Sequence, residues 1–126
     1  MKLDLKELIS KLLTSTKVVV DRPSTVAGLI TLNSGWSIDS YDVVRCGQVW
    51  NIRFAAKYNT AWATNTQLTM GVLTDKYRPE IAVSIDSILT NGVADPSGTI
   101  YVRNVSGGTL GANQAVTYCI SFMNNK

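Results

Sequence analysis

The sequence predicts an all-β head, a jelly-roll-like sandwich or barrel of about eight short antiparallel strands, carried behind a short N-terminal α-helix. Three observations lead there. Apolar residues alternate with period two through much of residues 29–123, which turns one face of each segment toward a core. Turn signals such as Asn33-Ser34-Gly35, Gly47-Gln48 and Asp95-Pro96-Ser97-Gly98 recur at short intervals. No helical periodicity separates the strands, which argues against a parallel α/β sheet.

Residues 2–17 read as the helix. Leu5, Leu8, Ile9, Leu12 and Leu13 follow an i, i+3, i+4, i+7, i+8 spacing and make one apolar stripe. Asp4 near its start, and Lys11 and Lys17 toward its end, suit the helix dipole. A helix this short is marginal alone in water, so the stripe needs a cover. Two covers are open: the β-domain of the same chain, or the same stripe on neighbouring copies as a short coiled coil. On the second option Leu5, Leu8, Ile9, Leu12 and Leu13 are the oligomer-interface candidates. Asp21-Arg22-Pro23-Ser24 then breaks the chain, because Pro23 fixes its own φ and biases Arg22 toward extended backbone. Residues 1–20 are assigned to the helix or neck and 21–126 to the head.

From Val26 onward the pattern reads as β. Leu29–Leu32 and Tyr41–Cys46 are strands, and Gly47-Gln48 joins the latter to Val49–Ala56 as a hairpin. Trp50, Ile52 and Phe54 alternate there with Asn51, Arg53 and Ala55, which sets the indole of Trp50 on the buried face. Residues 57–66 are polar with two aromatics and read as an exposed loop. Gln67–Leu73, Glu80–Asp86, Ser87–Val93, Thr99–Val105 and Ala115–Met123 complete the strands, with Asn91-Gly92 taken as a turn signal.

The chemistry legible in the chain favours binding over catalysis. With no His, Ser-His-Asp and Cys-His catalysis and the common zinc sites are out of reach, and neither a metal nor a cofactor is expected. Asp39, Asp42, Asp75, Glu80, Asp86 and Asp95 fall mostly at turns or strand ends; a glycan hydrolase built on two of them is a minor alternative. Net charge is +3 with scattered Lys and Arg, so no nucleic-acid arm is expected. No segment is long and apolar enough to span a membrane, and the N-terminus lacks a signal-peptide core, so a soluble chain made in a cytoplasm is expected. Cys46 and Cys119 read as buried thiols, with a disulfide open if their strands are neighbours. Asn104-Val105-Ser106 matches a glycosylation sequon without any sign of secretion. Tyr58, Asn59, Trp62 and Asn65 cluster in the polar loop and are the ligand-site candidates: an aromatic ring stacks on a sugar's apolar face while amides bond its hydroxyls. Packing of Trp62 into the core or an interface is the alternative.

Several segments carry a family resemblance. Gly35-Trp36-Ser37, Arg45-Cys46-Gly47-Gln48-Val49-Trp50, Gly71-Val72-Leu73-Thr74-Asp75-Lys76-Tyr77-Arg78-Pro79 and Gly98-Thr99-Ile100-Tyr101-Val102 resemble the C-terminal receptor-binding head domains of tailed-phage tail-fibre and baseplate appendage proteins, over roughly residues 35–122. Thr74 and Lys76 replace the Pro and Gly usual in that family. The resemblance implies a homotrimeric virion protein, made in the bacterial host, whose β-head binds a host-surface saccharide or protein. It implies a structural role for Tyr77-Arg78-Pro79. The alternative within the same setting is a purely structural virion part that binds other virion proteins; a stand-alone carbohydrate-binding module is more remote.

Overall fold

The computed structural model describes residues 4–6 and 18–124. Leu5 and Lys6 have helical backbone and Leu5 is exposed. Leu8, Ile9, Leu12 and Leu13 lie outside the described residues. No described helix is long and apolar enough to cross a membrane.

The described chain contains nine strands: β1 (Val18–Val20), β2 (Ile30–Leu32), β3 (Trp36–Cys46), β4 (Val49–Tyr58), β5 (Gln67–Leu73), β6 (Val83–Asp86), β7 (Thr90–Ala94), β8 (Thr99–Asn104) and β9 (Val116–Met123). They form one sheet in the order β1-β3-β4-β9-β6-β7-β8-β5-β2, every pair antiparallel, curled into a half-barrel. The all-β reading holds, with four corrections of detail. Val18–Val20, expected to precede the head, pair with Val44–Cys46 and belong to its sheet. Residues Val26–Leu29, read as β, make a helical turn, α1, because Thr25 caps it by accepting from the Gly28 N–H at 3.1 Å. β3 begins at Trp36 and not at Tyr41. The turn between β6 and β7 falls at residues 87–89, so Asn91-Gly92 sits inside β7. Gly92 is there for space: a Cβ would lie 2.5 Å from the Tyr101 carbonyl oxygen.

Local chemistry explains the hairpins. Gly47 takes φ +60° and Gln48 stays at negative φ, the pattern of a II′ turn, which matches strand twist. Its register pairs Cys46 with Val49 and Arg45 with Trp50. The β4 and β9 alternations face each other: Trp50, Ile52, Phe54 and Ala56 meet Phe122, Ile120, Tyr118 and Val116 in a dry inner layer. Cys46 and Cys119 are half-buried thiols on β3 and β9, which β4 separates, so they form no disulfide.

Trp50 gathers the closure. Fully buried, it stacks on Phe122 (6.4 Å, 4°) and meets Tyr77 edge-on (5.9 Å, 81°). The Arg45 guanidinium lies 5.2 Å from its ring, and its indole N–H donates to the Asn124 carbonyl at 3.3 Å. Tyr77 stands on a 3-10 turn, Asp75–Tyr77, and its hydroxyl donates to the Asp21 carbonyl at 3.2 Å. The Asp21 carboxylate pairs with Lys76 at 2.9 Å and Arg45 at 3.5 Å. Arg78 donates to the Leu73 carbonyl at 2.9 Å, and Asn124 donates to the Arg78 carbonyl at 2.7 Å. The turn thus forms with Thr74 and Lys76 in place of Pro and Gly, and Tyr77-Arg78-Pro79 acts as structure.

Truncating Trp50 to Ala is expected to cost about 3–5 kcal/mol in denaturant unfolding, because a large cavity opens beneath three aromatic and cationic partners. Tyr77→Phe, which deletes one half-buried hydrogen bond and keeps the ring, should cost only about 1 kcal/mol.

Candidate functional site

The outer face of β6-β7-β8-β5 carries polar side chains over a depression. Period two sends Ile100, Val102 and Asn104 of β8 inward and Tyr101 and Arg103 outward. The same rule exposes Ser84 and Asp86 on β6, Asn91 and Val93 on β7, and Gln67 on β5. Register sets them in rows. Gln67 lies beside Arg103 and Arg103 beside Asn91, while Tyr101 lies beside Val93 and Val93 beside Ser84. Together they line a groove of about 430 Å³.

Arg103 reaches Gln67 Oε1 at 3.5 Å and has no ion-pair partner among the described residues. Its planar donor fork is therefore open to a ligand acceptor. Asp86 supplies the carboxylate, Asn91 and Gln67 supply amides that both donate and accept, and Tyr101 supplies a half-buried ring. Ser87 Oγ and Thr90 Oγ1, on two further lining residues, are buried without a protein hydrogen-bond partner. This set offers hydrogen-bond donors and acceptors and one ring to a ligand. Glycoside hydrolysis requires paired carboxylates, and Asp86 is the single carboxylate in the lining. Among the described residues no group of three His, Cys, Asp or Glu side chains is placed to hold a metal.

The loop expected to bind ligand is built differently. Trp62 is 4% exposed, donates its indole N–H to the Thr66 carbonyl at 2.8 Å, and stands edge-on to Trp36 at 5.8 Å. Tyr58 also packs on Trp36, tilted, with ring centroids 5.0 Å apart. Trp62 therefore takes the packing alternative and presents no face for a sugar. Asn104 imposes this. Fully buried, its amide donates to the Trp62 and Gly108 carbonyls at 2.8 Å each and accepts from Ser106 N at 3.0 Å and Oγ at 2.7 Å. The sequon is thus a clamp that ties two loops together. Asn59 and Asn65 are exposed, the latter at φ +59°, and neither lines the narrow crevice beside Tyr58, Thr60 and Gln114. The structure does not bring Tyr58, Asn59, Trp62 and Asn65 into one pocket. The groove escaped the sequence reading because its residues come from four strands. Only the outward phase of Tyr101 and Arg103 was available as a signal.

Behind the groove, Tyr118 is buried in the inner layer and its hydroxyl has no hydrogen-bond partner. Burial pushes its pKa up to about 12, and the neighbouring Thr90 hydroxyl offsets part of that rise. Burial also raises Tyr77, and the hydrogen bond to Asp21 raises Lys76.

No protein-family model matches the chain, and no curated protein matches it. Among solved structures it is similar to the head domain of lactococcal phage bIL170, described in connection with a common fold for the receptor binding domains of lactococcal phages. The two superpose with a TM-score of 0.57 at 17% identity, covering 82% of this chain and 98% of the other. At that identity the likeness is one of fold. The chain has the fold of a phage receptor-binding head domain, as its motifs implied.

The tyrosine shifts generate a pH prediction. A raised tyrosine pKa means that the folded state holds its proton more tightly than the unfolded chain does. Tyr118 therefore adds stability that is full below its unfolded pKa near 10 and is lost as pH rises toward about 12. Tyr118→Phe should leave the melting temperature near pH 7 unchanged or slightly raised, since it removes an unpartnered hydroxyl. It should also flatten the loss of stability between about pH 10 and 12 relative to the parent chain. Thermal melts across that range measure both.

Proposed function

We propose that the chain is the receptor-binding head of a phage virion appendage and that it adsorbs to a saccharide of the bacterial surface. One observation carries the reading: a head-domain fold bears an open groove lined by Arg103, Asp86, Asn91, Gln67 and Tyr101, the donors, acceptors and ring that polyol recognition uses. Arg103 and the two amides hold hydroxyl or anionic substituents, and Tyr101 offers its ring to the apolar face of a sugar. The groove is open, so each head holds its ligand weakly. Several heads, joined as homotrimers through the Leu5 to Leu13 stripe and repeated on one virion, raise avidity through effective concentration. Asn59 and Asn65, exposed in the loop, are proposed to add polar contacts of their own.

The test is binding of the full chain to a panel of purified bacterial cell-wall polysaccharides. Arg103→Ala and Asn91→Ala should each weaken binding about tenfold or more, the value of one charged or two neutral hydrogen bonds, with the melting temperature nearly unchanged. Trp62→Ala should instead lower the melting temperature. Retained binding in both groove variants would remove the groove from the mechanism. Release of reducing ends from any bound polysaccharide would favour a hydrolase instead. Binding to no polysaccharide, together with binding to other virion proteins, would favour a structural virion part.

A further inference from the structure

The polar side chains of the groove belong to a longer line. Register places Gln67 of β5 beside Arg103 of β8, and Arg103 beside Asn91 of β7. The β6 and β7 pairs run from Val83 with Ala94 to Ile85 with Gly92, and one step further sets Asp86 opposite Asn91. Asp86 lies beside Cys119 of β9, Cys119 beside Arg53 of β4, and Arg53 beside Asp42 of β3. Period two turns all of these outward, so one row crosses seven adjacent strands; Cys119 is half-buried and the others are exposed. The next row deepens the far end. Ala55 pairs with Ser40 on one side and Thr117 on the other, and its small side chain leaves a depression of about 300 Å³ that Arg53 and Asp42 also line. Arg103, Asp86, Arg53 and Asp42 are the charges of the long row, and among the described residues none of them closes an ion pair. Asp21, Asp39 and Asp75, outside the row, are each paired with Lys or Arg.

We infer that the groove is one end of a track for an extended, near-neutral polysaccharide chain, with a second subsite at Arg53, Asp42, Ser40 and Thr117. The inference rests on the saccharide reading above and adds the length and charge class of the ligand. Length follows from strand spacing. Five strand steps separate Arg103 from Asp42, roughly 24 Å, several times the width of one sugar ring. Asp86 of the groove and Arg53 of the second subsite are only two steps apart, about 10 Å, with the short Cys119 side chain between them. A chain lying across the strands therefore meets both subsites without leaving the surface. Charge class follows from the row's composition. Guanidinium and carboxylate alternate along it, so a polyanion is opposed at Asp86 and Asp42 and a polycation at Arg103 and Arg53. A hydroxyl-rich chain meets donors and acceptors throughout. An extended peptide would find no backbone partners on the floor, where strand pairing already uses them.

The test takes the purified cell-wall polysaccharide that the full chain binds best and cuts it into disaccharide and octasaccharide fractions. Binding of each is measured by calorimetry for the parent chain, Arg103→Ala and Arg53→Ala. Both arginines are exposed, so the variants should melt with the parent. The expected result is that Arg103→Ala weakens both fractions, whereas Arg53→Ala weakens the octasaccharide about tenfold and leaves the disaccharide unchanged. Parent affinity of Arg53→Ala for the octasaccharide overturns the track and leaves the groove standing as the saccharide site. Equal losses on both fractions also overturn it, in favour of one compact site. Binding of the parent chain to no polysaccharide overturns the saccharide reading and the track together. A panel in which only polyanionic polysaccharides bind overturns the charge class. A second readout needs no variant. Saturating octasaccharide should slow iodoacetamide alkylation of Cys119 while the disaccharide does not, with Cys46, outside the row, as internal reference. Cys119 that reacts at its free rate under bound octasaccharide overturns the track.

Discussion

β1 and β2 form opposite edges of the sheet, yet only residues 21–29 join them. That connection includes the helical turn α1 and reaches no further than roughly 26–30 Å. Nine strands laid flat would stand about 38 Å from edge to edge. The sheet therefore has to curl, and everything else in the head follows from that. Curling gives one concave, dry face and one convex, wet face. Trp50 sits on the first, where residues following both edge regions reach it: Tyr77 after β5, and through Tyr77 the Asp21 carbonyl after β1. The Asp21, Lys76 and Arg45 ion pairs lie at the same junction, but half-exposed pairs add little. Aromatic burial holds the closure and the charges orient it.

Because the inner face is committed to the core, recognition is left to outward side chains and loops. Aromatic residues in loops are the usual first guess for a sugar site, and here they are consumed by packing. Trp36, Tyr58 and Trp62 pack against one another, tilted and edge-on, and Asn104 holds the Trp62 carbonyl. A fully buried amide with four satisfied bonds is a rigid support for two loops. The polar side chains left free of such duties, Arg103 above all, gather instead on the outer rows of β5 to β8.

This division explains how far the sequence could be read. The faces of β4, β8 and β9 were legible because period-two alternation is strong there and burial on one side enforces it. The hairpin at Gly47 was legible because its turn chemistry is local. Position along the sheet was not. Nothing local says that Gln67 lies beside Arg103, or that Val18 continues the row of Met123 through two intervening strands. Those neighbours are set by the topology, which is non-local. Asn91-Gly92 misled for a related reason: the pair is a turn signal by local conformation, but Gly92 answers a tertiary demand, the close approach of the Tyr101 carbonyl. Trp62 was ambiguous because an exposed and a buried tryptophan have the same local sequence signature; the amide that buries it is forty-two residues away.

The outer face divides along the sheet order. Val18, Cys46, Val49 and Met123 align across β1, β3, β4 and β9, and the polar groove lies over β6, β7, β8 and β5, the neighbouring half of the same sheet. Period two gives both halves an inner face committed to the core, so the difference between them lies wholly in which side chains point outward. On the reading proposed above, an open groove would give each head a modest affinity, and adsorption would then depend on several grooves meeting the surface together.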